Sequence, residues 1–258
     1  MKKLMTLISV LALTAGTAMA EDIKVGVSPG EHAEIMEEVA KVAKPMGLDI
    51  KVIEFSDYVV PNQALADGDI EANSFQHKPY LDNQIKDRGF KLVPVGTTIT
   101  TPMGLYSNKV KSPADLKDGD TVGIPNDPTN GGRALLVLQD FGLIKLADGT
   151  GLTPTVLDVT ENPKNLKFQE LDAAQLPRSL ADLDAAMINT NYAIAAGLNP
   201  KTDTIAMEKA DNPYVNIIVV REGDETAPWV KTLVSAYHSD EVKKFIEDKY
   251  HGTVLTSW

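Results

Sequence analysis

The sequence predicts an α/β protein of two lobes, joined by two crossing segments and separated by a cleft. Three observations carry that prediction. From Ile23 onward, short apolar runs alternate with amphipathic helical segments, the pattern of parallel strands linked by crossover helices. The alternation breaks at residues 96–102, GTTITTP, which are polar and β-branched with no helical period. A last apolar run, VNIIVV at 215–220, reads as the last strong strand and resembles a return crossing, with two helices after it. The expected division is 21–100 plus 221–258 for the first lobe and 101–220 for the second. The crossings are expected near 96–104 and 208–220.

Residues 1–20 read as an export signal. Lys2 and Lys3 precede an apolar run over 4–13, and Ala18-Met19-Ala20 gives an A-x-A cleavage pattern. That run is too short to span a membrane, so a mature chain beginning near Glu21 is expected in the periplasm. The sequence has no cysteine, which removes thiol catalysis, Cys-ligated metal and a lipid-bearing cysteine after the signal. A formal charge of −11 and the lack of any basic block argue against a nucleic-acid partner.

Residues 23–27 form the first expected strand. A helix over 31–46 places Ile35, Met36, Val39, Ala40, Val42 and Ala43 on its apolar side, with acids early and lysines late. Gly47 stops it, and 48–55 is a second strand, so a parallel pair with a right-handed crossover is expected. Asp57 or Pro61-Asn62 opens a short helix to Leu65, and Asp67-Gly68-Asp69 turns into a third strand at 70–75. A helix over 77–88 has Pro79 near its start, where a missing N–H costs nothing. A strand at 91–95 follows. In the second lobe a capped turn at 112–119 precedes a strand at 121–124, and a loop ending in Arg133 leads into a helix over 134–141. Further strands are expected at 155–159, 168–171, 185–188 and 204–207. Helices over 228–238 and 240–250 would pack back on the first lobe.

The chemistry gathers in three places. Residues 55–80 hold Phe55, Tyr58, Phe75, His77 and Tyr80, in a chain only 6% aromatic. Phe55 reads as core. Tyr58, and the group Phe75, His77 and Tyr80, follow successive strands, where open α/β sheets bind ligands. They suit a small, partly apolar guest. Gly131-Gly132-Arg133 stands where a loop meets a helix, and an arginine there can grip a carboxylate or phosphate. No phosphate-loop spacing is present, so one carboxylate is the simpler guest; a plain turn with Arg133 on a surface acid is the other reading. Asn191 and Asn216 offer side-chain oxygens to an ammonium group. Asn191 reads equally as a helix cap, and Asn216 as a contact between crossing strands. His32, His77, His238 and His251 show no metal spacing, and no nucleophile elbow occurs. Neither enzyme activity nor a cofactor or metal is expected.

Four blocks, DYVVPNQAL with NSFQHKPYL, PNDPTNGGRAL, NPKNLKFQELDAAQLPRSLADLDAAMINTNYA and PYVNIIVVR, resemble the NlpA-type methionine-binding proteins of ABC importers. The resemblance covers essentially the whole chain after the signal. It implies a periplasmic-binding-protein fold (type II-like). It also implies capture of methionine, with the L-enantiomer expected, and delivery to a permease driven by an ATPase. It further implies that Tyr58, Phe75, His77 and Tyr80 line the side-chain pocket, Arg133 meets the α-carboxylate, and Asn191 and Asn216 meet the polar end. A methionyl peptide, another apolar amino acid, or an exported adhesion or scaffold role are the alternatives. Many members carry a cysteine just after the signal; here Glu21 follows Ala20.

Overall fold

A computed structural model describes residues 21–258; the export signal expected over 1–20 lies outside them. Two five-stranded sheets organise the two lobes. The first runs, edge to edge, Leu48–Glu54, Glu21–Val27, Ala72–His77, Asn216–Arg221, Leu92–Thr97. Glu21–Val27 pairs in parallel with Leu48–Glu54 and with Ala72–His77, as a crossover connection requires. The second runs Lys167–Leu171, Thr121–Pro125, Ala185–Ile188, Gly104–Tyr106, Thr204–Met207.

Each sheet is covered on both faces. In the first lobe Val25, Val27, Ile35, Met36 and Val39 pack with Leu233, Tyr237 and Ile246. The helices Pro228–Tyr237 and Asp240–Tyr250 thus return to the first lobe. Leu65, Ile70, Leu81 and Val219 fill the opposite face. In the second lobe Leu105, Val122, Ile124, Leu135 and Leu138 form one layer, and Leu176, Leu183 and Ile188 lie in the other. Burying each such side chain contributes about 1.5–3 kcal/mol.

Two expectations need correction. The strand expected at 215–220 is present, but it lies in the first sheet and not in the second lobe, where the expected division put it. It spans Asn216–Arg221, antiparallel to both Ala72–His77 and Leu92–Thr97 in the first sheet. The reason is burial: Asn216 to Val220 are all covered, and a continuous apolar run marks a strand shielded on both faces. The chain returns earlier, between Met207 and Asn216. The two crossings meet there, since Thr98 N–H donates to the Asn216 carbonyl (2.8 Å) and Asn216 Nδ2 to the Ile99 carbonyl (3.2 Å). Leu255–Thr256 pairs with Ile99–Thr100 and adds a strand to this junction. The strand expected at 155–159 is instead a 3-10 turn, Val156–Asp158, followed by Val159–Glu161. The Asp158 carboxylate closes it by accepting from Thr155 N–H (2.7 Å) and Oγ1 (2.9 Å).

The start of the helix Glu31–Ala43 carries an unusual burden of buried polar atoms. Glu31 is fully buried and neither of its carboxyl oxygens has a hydrogen-bond partner. Ser28 Oγ, His32 Nδ1, Thr98 Oγ1 and Tyr237 OH are likewise buried and unpaired. Desolvation, opposed by the residue's own backbone N–H and helped by Glu34, pushes the Glu31 carboxyl from its ordinary 4.5 to about 8. The folded chain therefore holds a proton that the unfolded chain releases above about pH 4.5. Stability should decline as pH rises from that value to about 8, by on the order of 3–5 kcal/mol from this group. Glu31→Gln cannot ionise, so it should lose that decline and exceed the wild-type stability at pH 8. Urea unfolding of both proteins at pH 5 and pH 8 checks this, and equal pH slopes would contradict it.

Candidate functional site

A small cavity lies between the lobes, lined by side chains of both. All seven residues singled out from the sequence line it: Tyr58, Phe75, His77, Tyr80, Arg133, Asn191 and Asn216. The first lobe supplies the aromatic wall. The Tyr58 ring lies 6.0 Å from Phe75 and 6.1 Å from Tyr80, and Phe75 and Tyr80 meet edge to face at 6.1 Å. Tyr80 OH donates to the Tyr58 carbonyl (2.9 Å), which ties the segment after the second strand to the helix Lys78–Arg88. Below this wall, Asn62, Asn73 and Gln76 hold one another by buried side-chain hydrogen bonds.

His77 caps that helix. Its Nδ1 accepts from Tyr80 N–H (3.1 Å), so the ring proton sits on Nε2, facing Asn130 Oδ1 at 3.2 Å. Burial, and then the positive charge of Arg133, lower its pKa from 6.5 to about 3. Burial lowers His32, another lining residue, to about 4. Both rings are neutral at neutral pH. Burial also pushes the Tyr58 and Tyr80 hydroxyls up, so they act as neutral donors.

The second lobe supplies the polar wall, and here the local structure differs from expectation. Gly131, Gly132 and Arg133 belong to the helix Pro128–Asp140 rather than to a loop before it. Its N-terminus is not an open anion site, because the Asp127 carboxylate accepts from Thr129 N–H (3.2 Å) and Asn130 N–H (2.9 Å). The glycines serve close packing. A Cβ on Gly131 would stand 2.7 Å from the Pro125 carbonyl oxygen, and one on Gly132 would stand 2.8 Å from that of Leu152. Arg133 is buried, with its Nε 3.0 and 3.1 Å from the two carboxylate oxygens of Glu208. Its Nη2 donates to Glu208 and to the Thr101 carbonyl (2.9 Å), and the Tyr214 ring lies 4.4 Å from the guanidinium carbon. The guanidinium fork is thus occupied by a buried acid, not a surface one. Nη1 has no hydrogen-bond partner among the described residues.

Asn191 is not a cap; Asn189 holds that position for the helix Thr190–Ala195. Asn191 Oδ1 accepts from Tyr58 OH across the lobes (2.5 Å), while its Nδ2 is buried without a partner. Asn189 Nδ2 donates to Asn130 Oδ1 (2.9 Å), and its own Oδ1 is buried and unpaired. Asn216 lines the cavity and also makes the contact between crossings. Sequence reasoning missed His32, Gln76, Thr101, Asn130 and Asn189 in the lining, and Glu208 and Tyr214 behind it. Asn130 and Asn189 were within reach, beside Gly131 and Asn191. Glu208 had no signal, being one acid among 36 Asp and Glu.

Comparison with known proteins identifies the family. The sequence profile of the family described as NlpA lipoprotein matches residues 23–258. The D-methionine-binding lipoprotein MetQ of Salmonella typhimurium is 56% identical over 239 residues, covering 92% of this chain and 88% of that one. The protein of the same name from Escherichia coli is 55% identical over the same shares. A nutrient-binding protein from Burkholderia cenocepacia, solved bound to methionine, superposes with a TM-score of 0.90 at 55% identity, covering 92% of this chain and all of that one. The chain belongs to the NlpA lipoprotein family.

Proposed function

We propose that this protein is an extracytoplasmic solute-binding protein, not an enzyme, that captures methionine between its lobes and delivers it to the permease of an ABC importer. One observation carries the reading: a buried arginine with Nη1 unclaimed lines the same cavity as Tyr58, Phe75 and Tyr80. Nη1 of Arg133 meets the α-carboxylate. The side-chain oxygens of Asn189 and Asn216, with Asn191 beside them, meet the amino end. The thioether lies among the aromatic rings, where each sulfur–aromatic contact contributes roughly 0.3–1.5 kcal/mol. The lobes of this reading are 21–100 with 221–258, and 101–220, with the strand Asn216–Arg221 transferred to the first. Calorimetry with L- and D-methionine should give one site per chain, and product formation from either would refute the binding role.

The two walls should fail differently. Arg133→Ala removes a charge-assisted bond to a desolvated carboxylate and should weaken methionine binding by about 2–5 kcal/mol. Tyr80→Ala should penalise methionine more than alanine, because only the longer side chain reaches the ring. Titration of both ligands on both variants is the measurement. Equal losses for the two ligands in Tyr80→Ala would remove Tyr80 from the side-chain pocket.

His77, like His32, makes the site sensitive to acid. Its proton affinity is lower in the folded chain than in the unfolded one, so its contribution to stability is complete above about pH 6.5 and is lost as pH falls towards 3. His77→Asn retains a capping side chain and cannot take up this proton. Its unfolding free energy should therefore fall less steeply than the wild type between pH 6.5 and 4.5. A parallel slope would show that acid sensitivity arises elsewhere.

A further inference from the structure

The cation proposed to meet the ligand already has a partner of its own. Arg133 and Glu208 are both buried, with side chains only 3% and 8% exposed. Glu208 takes Nε and Nη2 of the guanidinium and also accepts from Met103 N–H (3.0 Å). Tyr214 covers one face of the guanidinium and Thr101 takes a remaining Nη2 hydrogen. Among the described residues, Asp127 is the other carboxylate hydrogen-bonded to a lining residue, engaged by the N–H groups of Thr129 and Asn130 and by Asn130 Nδ2 (2.9 Å); Glu31, kept protonated by burial, lies 3.9 Å from His32 Nε2. The cavity therefore has an arginine and a glutamate in contact, with neutral imidazoles around them.

We propose that Glu208 is a specificity-determining residue, an internal counter-ion that makes the site select ligands of zero net charge. This rests on the reading of Arg133 as the carboxylate's partner. A zwitterionic amino acid adds one positive and one negative charge to a pair that is already balanced. A carboxylate without an ammonium group leaves two anions around one guanidinium, and in a cavity that excludes water such an excess charge is strongly disfavoured. An ammonium compound without the carboxylate leaves the opposite excess. Glu208 also keeps Arg133 compensated when the cavity is empty and confines the ligand to Nη1. It acts through Arg133 and does not touch the ligand, so it is a positioning residue with an electrostatic effect on choice.

The test uses methionine, its desamino analogue (an anion) and methionine amide (a cation) on the full-length protein. Wild type should prefer methionine over both analogues. Glu208→Gln keeps an acceptor for Nε but removes the negative charge, and should shift the ratio of anion to methionine affinity upward by about tenfold or more. Glu208→Asp retains the charge and should keep the wild-type order. A purely structural role would weaken all three ligands together and leave the ratios unchanged, which would overturn the proposal. If Glu208→Gln does not fold, the wild type still decides, since desamino analogue bound as tightly as methionine would contradict the charge balance. If wild type fails to distinguish methionine from its amide, the Arg133 assignment itself falls. If it does distinguish them and the glutamine variant shows no shift, only the role of Glu208 falls.

Discussion

A guanidinium held out of water is the constraint on which the site depends. An unpaired buried charge costs several kcal/mol, and a pair repays this only when its remaining donors are also satisfied. Around Arg133 that requirement is met for Nε and Nη2, and Nη1 is left to the cavity. The helix Pro128–Asp140 brings the side chain in, and its glycines let the helix approach Pro125 and Leu152 closely enough to do so. Thr101 belongs to the first crossing, while Glu208 and Tyr214 lie at and within the second. The charge thus ties the second lobe to both connections. Displacing either crossing disturbs the environment of the group facing the cavity.

The division of labour between the walls follows from what each lobe can tolerate. The first lobe presents aromatic rings beside the end of a central strand, with a buried amide network beneath. The second presents amides and the arginine at helix starts. Few hydrogen bonds join the walls directly, among them Tyr58 to Asn191, His77 to Asn130, and Tyr192 OH to the Ser56 carbonyl at 3.3 Å. Each contributes only about 0.5–1.5 kcal/mol net. Gly30, with φ +85°, lies so close to Asn191 that a Cβ would stand 2.4 Å from its carbonyl oxygen. The closed arrangement therefore combines tight steric fit with modest direct attraction, which leaves the contents of the cavity a large share in holding the lobes together.

Much of this was legible because local chemistry and tertiary structure agree. The helix Asp240–Tyr250 has the bounds expected from its pattern, with Ser239 capping Val242 N–H and acids in its first turn. The aromatic wall was visible because its members cluster in one short stretch. Three features were hidden by tertiary demands. Gly131-Gly132 suggests a loop, yet the residues are helical because close packing, not turn geometry, requires glycine there. The strand Asn216–Arg221 follows the second sheet in sequence but pairs with the first. Glu208 meets Arg133 across a separation that no spacing rule covers.

The insertion of Asn216–Arg221 between Ala72–His77 and Leu92–Thr97 also constrains the order of assembly. A nascent chain ending before residue 216 has every other strand of the first sheet but leaves two of them with open edges where the missing one belongs. The intervening second lobe is a long loop to close, but the entropy of closure rises by only about 0.6 kcal/mol per doubling of length. The larger effect is on rate, because non-local pairings delay folding. An N-terminal fragment should expose unpaired strand edges and associate with other chains rather than fold alone. Slow completion of the first sheet also lengthens the time for which the chain is without its native pairings.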